Sequence, residues 1–338
     1  QEEPALCCKM TRVWIDSDPG HDDMMALMMC LYSPSIDLEG ISAVHGNQTV
    51  DKTFHNLLRT MFISGASWGG LELVYKGSAV PLVRKSQICP EIHGETGLGG
   101  VDWAGVDEYL EVPETTEAPA MAMHRAVSQL PEGETLTLLV TGCMTNIALY
   151  LRQFPQDIPR VKVVCMGGVF RERGNTGSWA EFNAQIDPEA LQVVLDSGAP
   201  LTMIPLDVTH TVLADEGVMK RIGEIGGGSK FSGVITQLLM FFADTYKNVF
   251  GFTDGPPVHD PVAAFYITHP EAFETVHVHV DVECEGTHTA GATCADWFGF
   301  GGKPANCTVA LKVDTKAFWD EMIDALISID KRTPLNEM

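Results

Sequence analysis

An apolar, strand-type run at Val13-Trp14-Ile15 leads directly into Asp16-Ser17-Asp18-Pro19-Gly20-His21-Asp22-Asp23, which places four carboxylates within eight positions. Strand side chains alternate with a period of two. Asp16 and Asp18 therefore fall on the same side of the strand end and are expected to point into one site. Pro19 and Gly20 break the strand, and Asp22 and Asp23 open Asp23-Met24-Met25-Ala26-Leu27-Met28-Met29, a run suited to a buried helix. A chain with this stretch must bury a strand and a helix while holding four like charges at the turn between them. Left alone, the carboxylates would repel and raise one another's pKa values, so a bound hard cation is the simplest way to keep them ionised. All-oxygen ligands point to calcium or magnesium rather than zinc. Helix-dipole and capping roles account for one such aspartate, not for four together. An EF-hand loop starting at Asp16 would need a bidentate Glu at its twelfth position, where this chain has Leu27. A phosphatase with an aspartyl nucleophile also ends a strand in Asp-x-Asp and is the rival reading.

The chain has 338 residues and is 45% hydrophobic, enough to bury a large core as one big α/β domain or two smaller ones. A formal charge of −23 without a dense Lys/Arg run argues against nucleic acid or an anionic membrane surface as a partner. Nothing approaches the roughly 18 uninterrupted apolar residues of a membrane span. The nine cysteines lack C-x-x-C spacing, which indicates neither a disulfide framework nor a zinc site; most are expected to be reduced core residues. Residues 1–12, with the adjacent Cys7-Cys8, read as a polar tail open to disorder, and residues 13–332 as a single catalytic domain. Gln1 is not an initiator Met, so the expected cytoplasmic location has secretion as its alternative. Asn306-Cys307-Thr308 fits a glycosylation acceptor, a pattern short enough to arise by chance.

After the first strand and helix, a strand is expected over Leu38 to Val44, ending at His45-Gly46-Asn47-Gln48-Thr49, then a helix from Asp51 to Ser64. The alternation continues with helix Ala118 to Gln129, strand Thr135 to Val140, helix Asn146 to Phe154, strand Val161 to Met166, helix Pro188 to Leu195 and strand Leu201 to Pro205. Such alternation implies parallel βαβ units and an open, mainly parallel central sheet flanked by helices. Near-continuous apolar strands such as Val161 to Met166 fit a sheet covered on both faces. Ligands bind such sheets at the carboxyl ends of the strands, so Asp16 to Asp23, His45 to Thr49 and Thr141 to Asn146 should share one site. Gly167-Gly168 lacks the spacing of a dinucleotide fingerprint. The glycine-rich stretch Pro81 to Gly100 reads equally as a mobile lid or an ordinary surface loop. Phe231 to Val249 reads as one long helix, and His259-Asp260-Pro261 offers a proton donor and a carboxylate at a helix start. Strands over Val276 to Val282 and Val309 to Val313 precede a last helix, Thr315 to Ile329.

Taken in order, these pieces resemble the calcium-dependent nucleoside hydrolases, in their inosine-uridine preferring branch. The carriers are Asp16 to Asp23, Gly46-Asn47-Gln48-Thr49, Pro81-Leu82-Val83-Arg84-Lys85, Ile92-His93-Gly94-Glu95-Thr96-Gly97, Thr141-Gly142-Cys143-Met144-Thr145-Asn146, Met166-Gly167-Gly168, Ala180-Glu181-Phe182-Asn183 and His259-Asp260-Pro261. The aspartyl-phosphatase rival would need Gly-Thr after Asp18, where the chain has Pro19-Gly20. A nucleoside- or ribose-binding protein without turnover is the non-catalytic alternative, and the presence of both Asp18 and His259 argues against it.

The resemblance implies hydrolysis of ribonucleosides to free base and ribose, within purine and pyrimidine salvage, by a homodimer or homotetramer. It gives calcium to Asp18, Asp23, Asp260 and the backbone carbonyl of Thr141, with Asp18 as the base that takes a proton from water and Asp16 orienting the ligands. Asp22 and Asn47 go to the ribose 2′-hydroxyl, Asn183 to the 3′-hydroxyl, and Asn175 with Glu181 to the 5′-hydroxyl. Met166 lines the sugar pocket. His93, Tyr246 and Phe182 complete the substrate-binding set, Phe182 standing where the purine-specific branch carries a Trp. His259 is the expected acid toward the leaving base. One departure stands out: Phe250 occupies the place of a second Tyr one turn beyond Tyr246. Since only a purine offers N7 for protonation, inosine is expected to be cleaved better than uridine.

Overall fold

In the computed structural model, which describes residues 10–65, 71–113 and 116–338, the opening strand β1 (Thr11–Ser17) begins two residues before the apolar run that marked the start of the expected domain. Cys7 and Cys8 lie outside the described residues. There follow α1 (His21–Tyr32), β2 (Ile36–Ala43), α2 (Val50–Ile63), β3 (Val74–Lys76), α3 (Pro90–His93), α4 (Ala104–Asp107), α5 (Pro119–Gln129), β4 (Leu136–Val140) and α6 (Thr145–Gln153). Next come β5 (Val161–Met166), α7 (Phe182–Ile186), α8 (Pro188–Leu195), β6 (Leu201–Ile204), α9 (Leu206–Thr209), α10 (Glu216–Gly223) and α11 (Lys230–Phe250). The chain closes with α12 (Asp260–Thr268), β7 (Phe273–Val278), β8 (Val280–Val282), β9 (Thr293–Ala295), β10 (Cys307–Val313) and α13 (Thr315–Asp330).

Among the described residues the main sheet has eight strands in the order β3-β2-β1-β4-β5-β6-β10-β7. All neighbours run parallel except β10 and β7 at one edge. The strand expected over Val276 to Val282 divides at His279: β7 pairs with β10, while β8 forms a separate hairpin with β9. From β1 the chain moves outward to β2 and β3, then returns to place β4 on the other side of β1. Strand order therefore reverses between β1 and β4, where an open parallel sheet leaves a crevice at its carboxyl end.

Both faces are covered, which is why the strands read as continuous apolar runs. Val13 and Ile15 of β1 pack into a cluster with Met24, Leu27 and Met28 of α1, Phe265 of α12 and Phe318 of α13. Trp14 points the opposite way, among Met123 of α5, Leu138 of β4 and Ile147 of α6. Its ring stacks on Tyr75 with centroids 5.2 Å apart, and its indole N–H donates to Ser42 at 2.9 Å. A Cβ at Gly40 would come within 2.2 Å of that ring, so the glycine on β2 makes room for the tryptophan.

The Asn306 side chain is spent inside the fold, accepting from Val280 N at 2.8 Å and donating to Val280 O at 3.0 Å. Among the described residues no helix is long and apolar enough to cross a membrane.

Candidate active site

The carboxyl ends of β1, β2, β4 and β5 surround a cavity of about 200 Å³. Its wall includes Asp22, Asn47, His93, Thr141, Met166, Asn175, Glu181, Phe182, Asn183, Tyr246, His259 and Asp260. Asp16, Asp18 and Asp23 are fully buried and do not line it.

The two aspartates at alternate positions of β1 have separate partners. Asp16 accepts from the Ser42 hydroxyl on β2 and from Asn146 Nδ2 on α6 at 2.8 Å, and its Oδ2 has no partner. Burial pushes its pKa up to about 7. Asp18 turns to the Gly46-Asn47 corner, where it accepts from Asn47 N at 2.7 Å, and its Oδ1 is buried without a partner. Two glycines admit it. A Cβ at Gly46 would lie 2.0 Å from Asp18 Oδ2, and one at Gly142 would lie 2.7 Å from Oδ1.

Asp23, on the first turn of α1, accepts from Ser17 Oγ at 2.8 Å, Thr141 Oγ1 at 2.7 Å, Gly20 N at 3.0 Å and Asn47 Nδ2 at 2.9 Å. It thereby joins β1, the turn after β4 and the corner after β2. Asp22 accepts from His259 N at 3.0 Å and so ties α1 to the start of α12. Carboxylate oxygens of Asp22, Asp23 and Asp260 lie within 4.8 Å of one another. Burial first, and repulsion from Asp23 second, raises Asp18 well above the usual carboxylate range and Asp22 to about 7. Asp260 is likewise raised, by burial and then by Asp22, Asp23 and Asp18. A divalent cation fits this set: it would offset the mutual repulsion and give Asp18 Oδ1 the partner it lacks. The converging trio contains Asp22, which the resemblance gave to the ribose, while Asp18 stands outside it.

The opposite wall is built on α7. Glu181 caps that helix, accepting from Asn183 N at 2.8 Å and Ala184 N at 3.0 Å, and also accepts from Gly168 N at 3.0 Å. Asn183 Nδ2 donates to the Thr141 carbonyl at 2.7 Å. Asn175 Oδ1 receives Phe182 N at 2.9 Å, which holds the 175–182 loop at the rim.

Aromatic rings close the third side. Phe242, Tyr246 and Phe250 of α11 lie in line, with successive centroids 4.6 and 5.1 Å apart. The Tyr246 hydroxyl is 2.7 Å from His259 Nε2, and Thr209 Oγ1 is 2.8 Å from His259 Nδ1. Both ring nitrogens are thus engaged within the protein. Tyr246 and His259 both stand in the cavity wall, joined through the Tyr246 hydroxyl.

Over its length the chain matches the family described as inosine-uridine preferring nucleoside hydrolase, across residues 13–320. It belongs to this family. Among its relatives, a probable ribonucleoside hydrolase of Dictyostelium discoideum is 38% identical over 93% of this chain and 94% of its own. A pyrimidine-specific ribonucleoside hydrolase, RihA of Citrobacter koseri, is 36% identical over 93% of this chain and 97% of its own. A solved structure, the purine-preferring ribonucleoside hydrolase from Gardnerella vaginalis, superposes with a TM-score of 0.83 at 28% identity, covering 95% of this chain and 99% of that one. The chain is a nucleoside hydrolase by fold and family, an enzyme that hydrolyses the N-glycosidic bond of ribonucleosides.

In this nucleoside hydrolase the middle of the stretch Pro81 to Gly100 forms part of the cavity wall, through Ile88, Cys89, Ile92 and His93. The stretch is pinned at both ends. Leu82 N donates to Asp187 at 2.9 Å and Arg84 pairs with Glu189 at 2.8 Å, while Gln48 and Asn56 donate to the carbonyls of Gly94 and Thr96 at 3.1 and 2.9 Å. His21 Nε2 is 3.0 Å from the Gly99 carbonyl, with its ring stacked on Phe241 and Phe242. The sequence reading missed Phe242, which lines the cavity, and Thr209 and His21, which contact the wall residues His259 and His93. Thr209 had a usable signal, since it lies in a polar stretch that directly follows the strand Leu201 to Ile204.

Proposed function

We propose that this nucleoside hydrolase is calcium-dependent and cleaves inosine and uridine, with Asp18 as the base. The observation that carries the reading is the convergence of Asp22, Asp23 and Asp260 beside a buried Asp18 oxygen that has no partner. Asp18, Asp23, Asp260 and the Thr141 carbonyl would hold the cation, with Asp22 at its border. All are oxygen donors, as calcium requires. When bound, the cation acidifies a water and binds sugar hydroxyls.

The chain's own groups do the rest. Asp18 takes the proton of the attacking water, a role supported by its carboxylate having one oxygen without a partner inside the protein. Asp22 and Asn47 grip the 2′-hydroxyl, Asn183 the 3′-hydroxyl, and Glu181 with Asn175 the 5′-hydroxyl. That grip holds the sugar in the geometry of an oxocarbenium-like transition state. Met166 packs beneath the sugar, and Phe182 and His93 flank the base. Thr209, His259 and Tyr246 form a chain along which a proton can pass to a purine N7. Asp16 keeps Ser42 and Asn146 in place below the site. The expected assembly is a homodimer or homotetramer.

The test is release of reducing sugar from inosine and uridine before chelation, after chelation and after calcium is restored. Activity should vanish with the chelator and return with calcium. Full activity in a preparation that elemental analysis shows to be free of metal would reject the calcium reading.

A further inference from the structure

We propose that Asn56 is a positioning residue for the reaction: its side-chain amide fixes the turn from Asp18 to Asp23 and ties that turn to the second leg of the 81–100 stretch. This rests on the cation reading above and adds to it a residue outside the cavity. Asn56 lies on α2, is fully buried and is not part of the cavity wall. Its Nδ2 donates to the Pro19 carbonyl at 3.0 Å and to the Thr96 carbonyl at 2.9 Å, while its Oδ1 accepts from Arg59 Nη1 at 2.9 Å. A flipped amide would set its oxygen against two carbonyls and its nitrogen against a guanidinium, so only one orientation is satisfied. Arg59 is itself held in place by both oxygens of Asp107, at 2.8 and 2.7 Å.

What the amide grips is the peptide between Pro19 and Gly20. Asn56 takes the carbonyl of that peptide, and Asp23 Oδ2 takes its N–H at 3.0 Å. One residue earlier, the Asp18 carbonyl receives Asn47 Nδ2 at 3.1 Å, and the same nitrogen donates to Asp23 at 2.9 Å. The path from Asp18 to Asp23 is therefore set by two asparagines, Asn47 in the cavity wall and Asn56 behind it. Loss of a group that orients metal ligands in this way typically costs about 10–100-fold in metal affinity or activity. The second Nδ2 hydrogen extends the effect to the 81–100 stretch. There the backbone is packed close against the amide: a Cβ at Gly97, where φ is +83°, would lie 2.6 Å from Asn56 Nδ2. A shift of this leg thus reaches Asp18 and Asp23 through one side chain.

The experiment measures calcium affinity by calorimetry and kcat on inosine. Asn56→Asp keeps the volume and the acceptor for Arg59, and as a carboxylate it removes only the N–H donors. By circular dichroism it should stay folded, while calcium affinity and kcat at saturating calcium each fall at least about tenfold. Gly97→Ala should weaken calcium as well, although it alters no carboxylate. In an Asn56→Ala background the same change should cost little more, because the methyl enters the space that the amide vacates and the backbone strain at 97 is common to both backgrounds. A lower Tm in Asn56→Asp with calcium affinity and kcat unchanged would show a purely structural role and overturn the inference. Wild-type calcium affinity in Gly97→Ala, or a Gly97→Ala loss that persists in full without the amide, would overturn it too. Each of these results leaves the calcium reading standing, whereas a wild-type protein that binds no calcium would overturn that reading and this inference with it.

Discussion

Asp16 and Asp18 are two residues apart on one strand, yet their surroundings assign them different work. Asp16 is held by Ser42 and Asn146 away from the cavity, whereas Asp18 is held by Asn47 N at the corner after β2; each keeps one buried oxygen without a partner. Asp18→Asn should leave the fold intact and lower kcat by roughly 10²-fold or more, because an amide cannot take the proton of water and is a weaker calcium ligand. Asp16→Asn should be milder. Near wild-type kcat in Asp18→Asn at saturating substrate and calcium would show that the base lies elsewhere. At the other end of the sugar, Tyr246→Phe and His259→Ala should each slow inosine more than a nitrophenyl riboside, whose leaving group needs no proton. Because the two residues form one chain, the double variant should lose little more than either single one. Additive losses would mean that they act separately. Kinetics on inosine and uridine in the same series test the expected preference for inosine.

At the scale of elements, the site depends on corners more than on helices. The turn from β2 into α2 passes so close to the end of β1 that only a glycine fits at position 46. Gly46→Ala should push Asp18 Oδ2 from its bond with Asn47 N, costing about 1–3 kcal/mol of stability as an overpacked site does, together with most of the activity. Circular dichroism and a thermal melt would show a folded but less stable protein; an unchanged kcat would mean that Asp18 relocates without consequence. The longer strands and helices were legible in the sequence because their apolar patterns are local properties. Val161 to Met166 and Pro188 to Leu195 emerged with the expected bounds. The short pieces did not: β3 and β9 have three residues each, too few to carry a period, and are held by their neighbours in the sheets.

Over the whole molecule the acidic cluster couples stability to pH and, on the proposed reading, to cation. Asp16 and Asp22 have folded pKa values raised to about 7 by burial. On their account, stability is full below the unfolded carboxylate pKa of about 4 and is lost as pH rises toward 7. His21 works in the other direction. Burial lowers it to about 4, so its contribution is present above the unfolded histidine pKa of about 6.5 and is lost as pH falls toward 4. Calcium must displace protons from the carboxylates alone, so its stabilisation should grow with pH. At a hundredfold excess over Kd it should amount to about 2.7 kcal/mol. Melting curves with and without calcium at pH 5 and pH 8 decide this, and an equal or smaller gain at pH 8 would contradict it. Amino-acid order by itself determined the βαβ alternation, the parallel sheet, the acidic turn after β1 and the location of a site at the strand ends, all of which follow from local periodicity and from Pro and Gly breaks. Only the tertiary structure decided that Asp22 joins Asp23 and Asp260, that Asp18 turns to Asn47, and that His259 is engaged between Thr209 and Tyr246. Those meetings join residues up to 237 positions apart, and they depend on strand order and on how closely the corners approach, which no local pattern encodes.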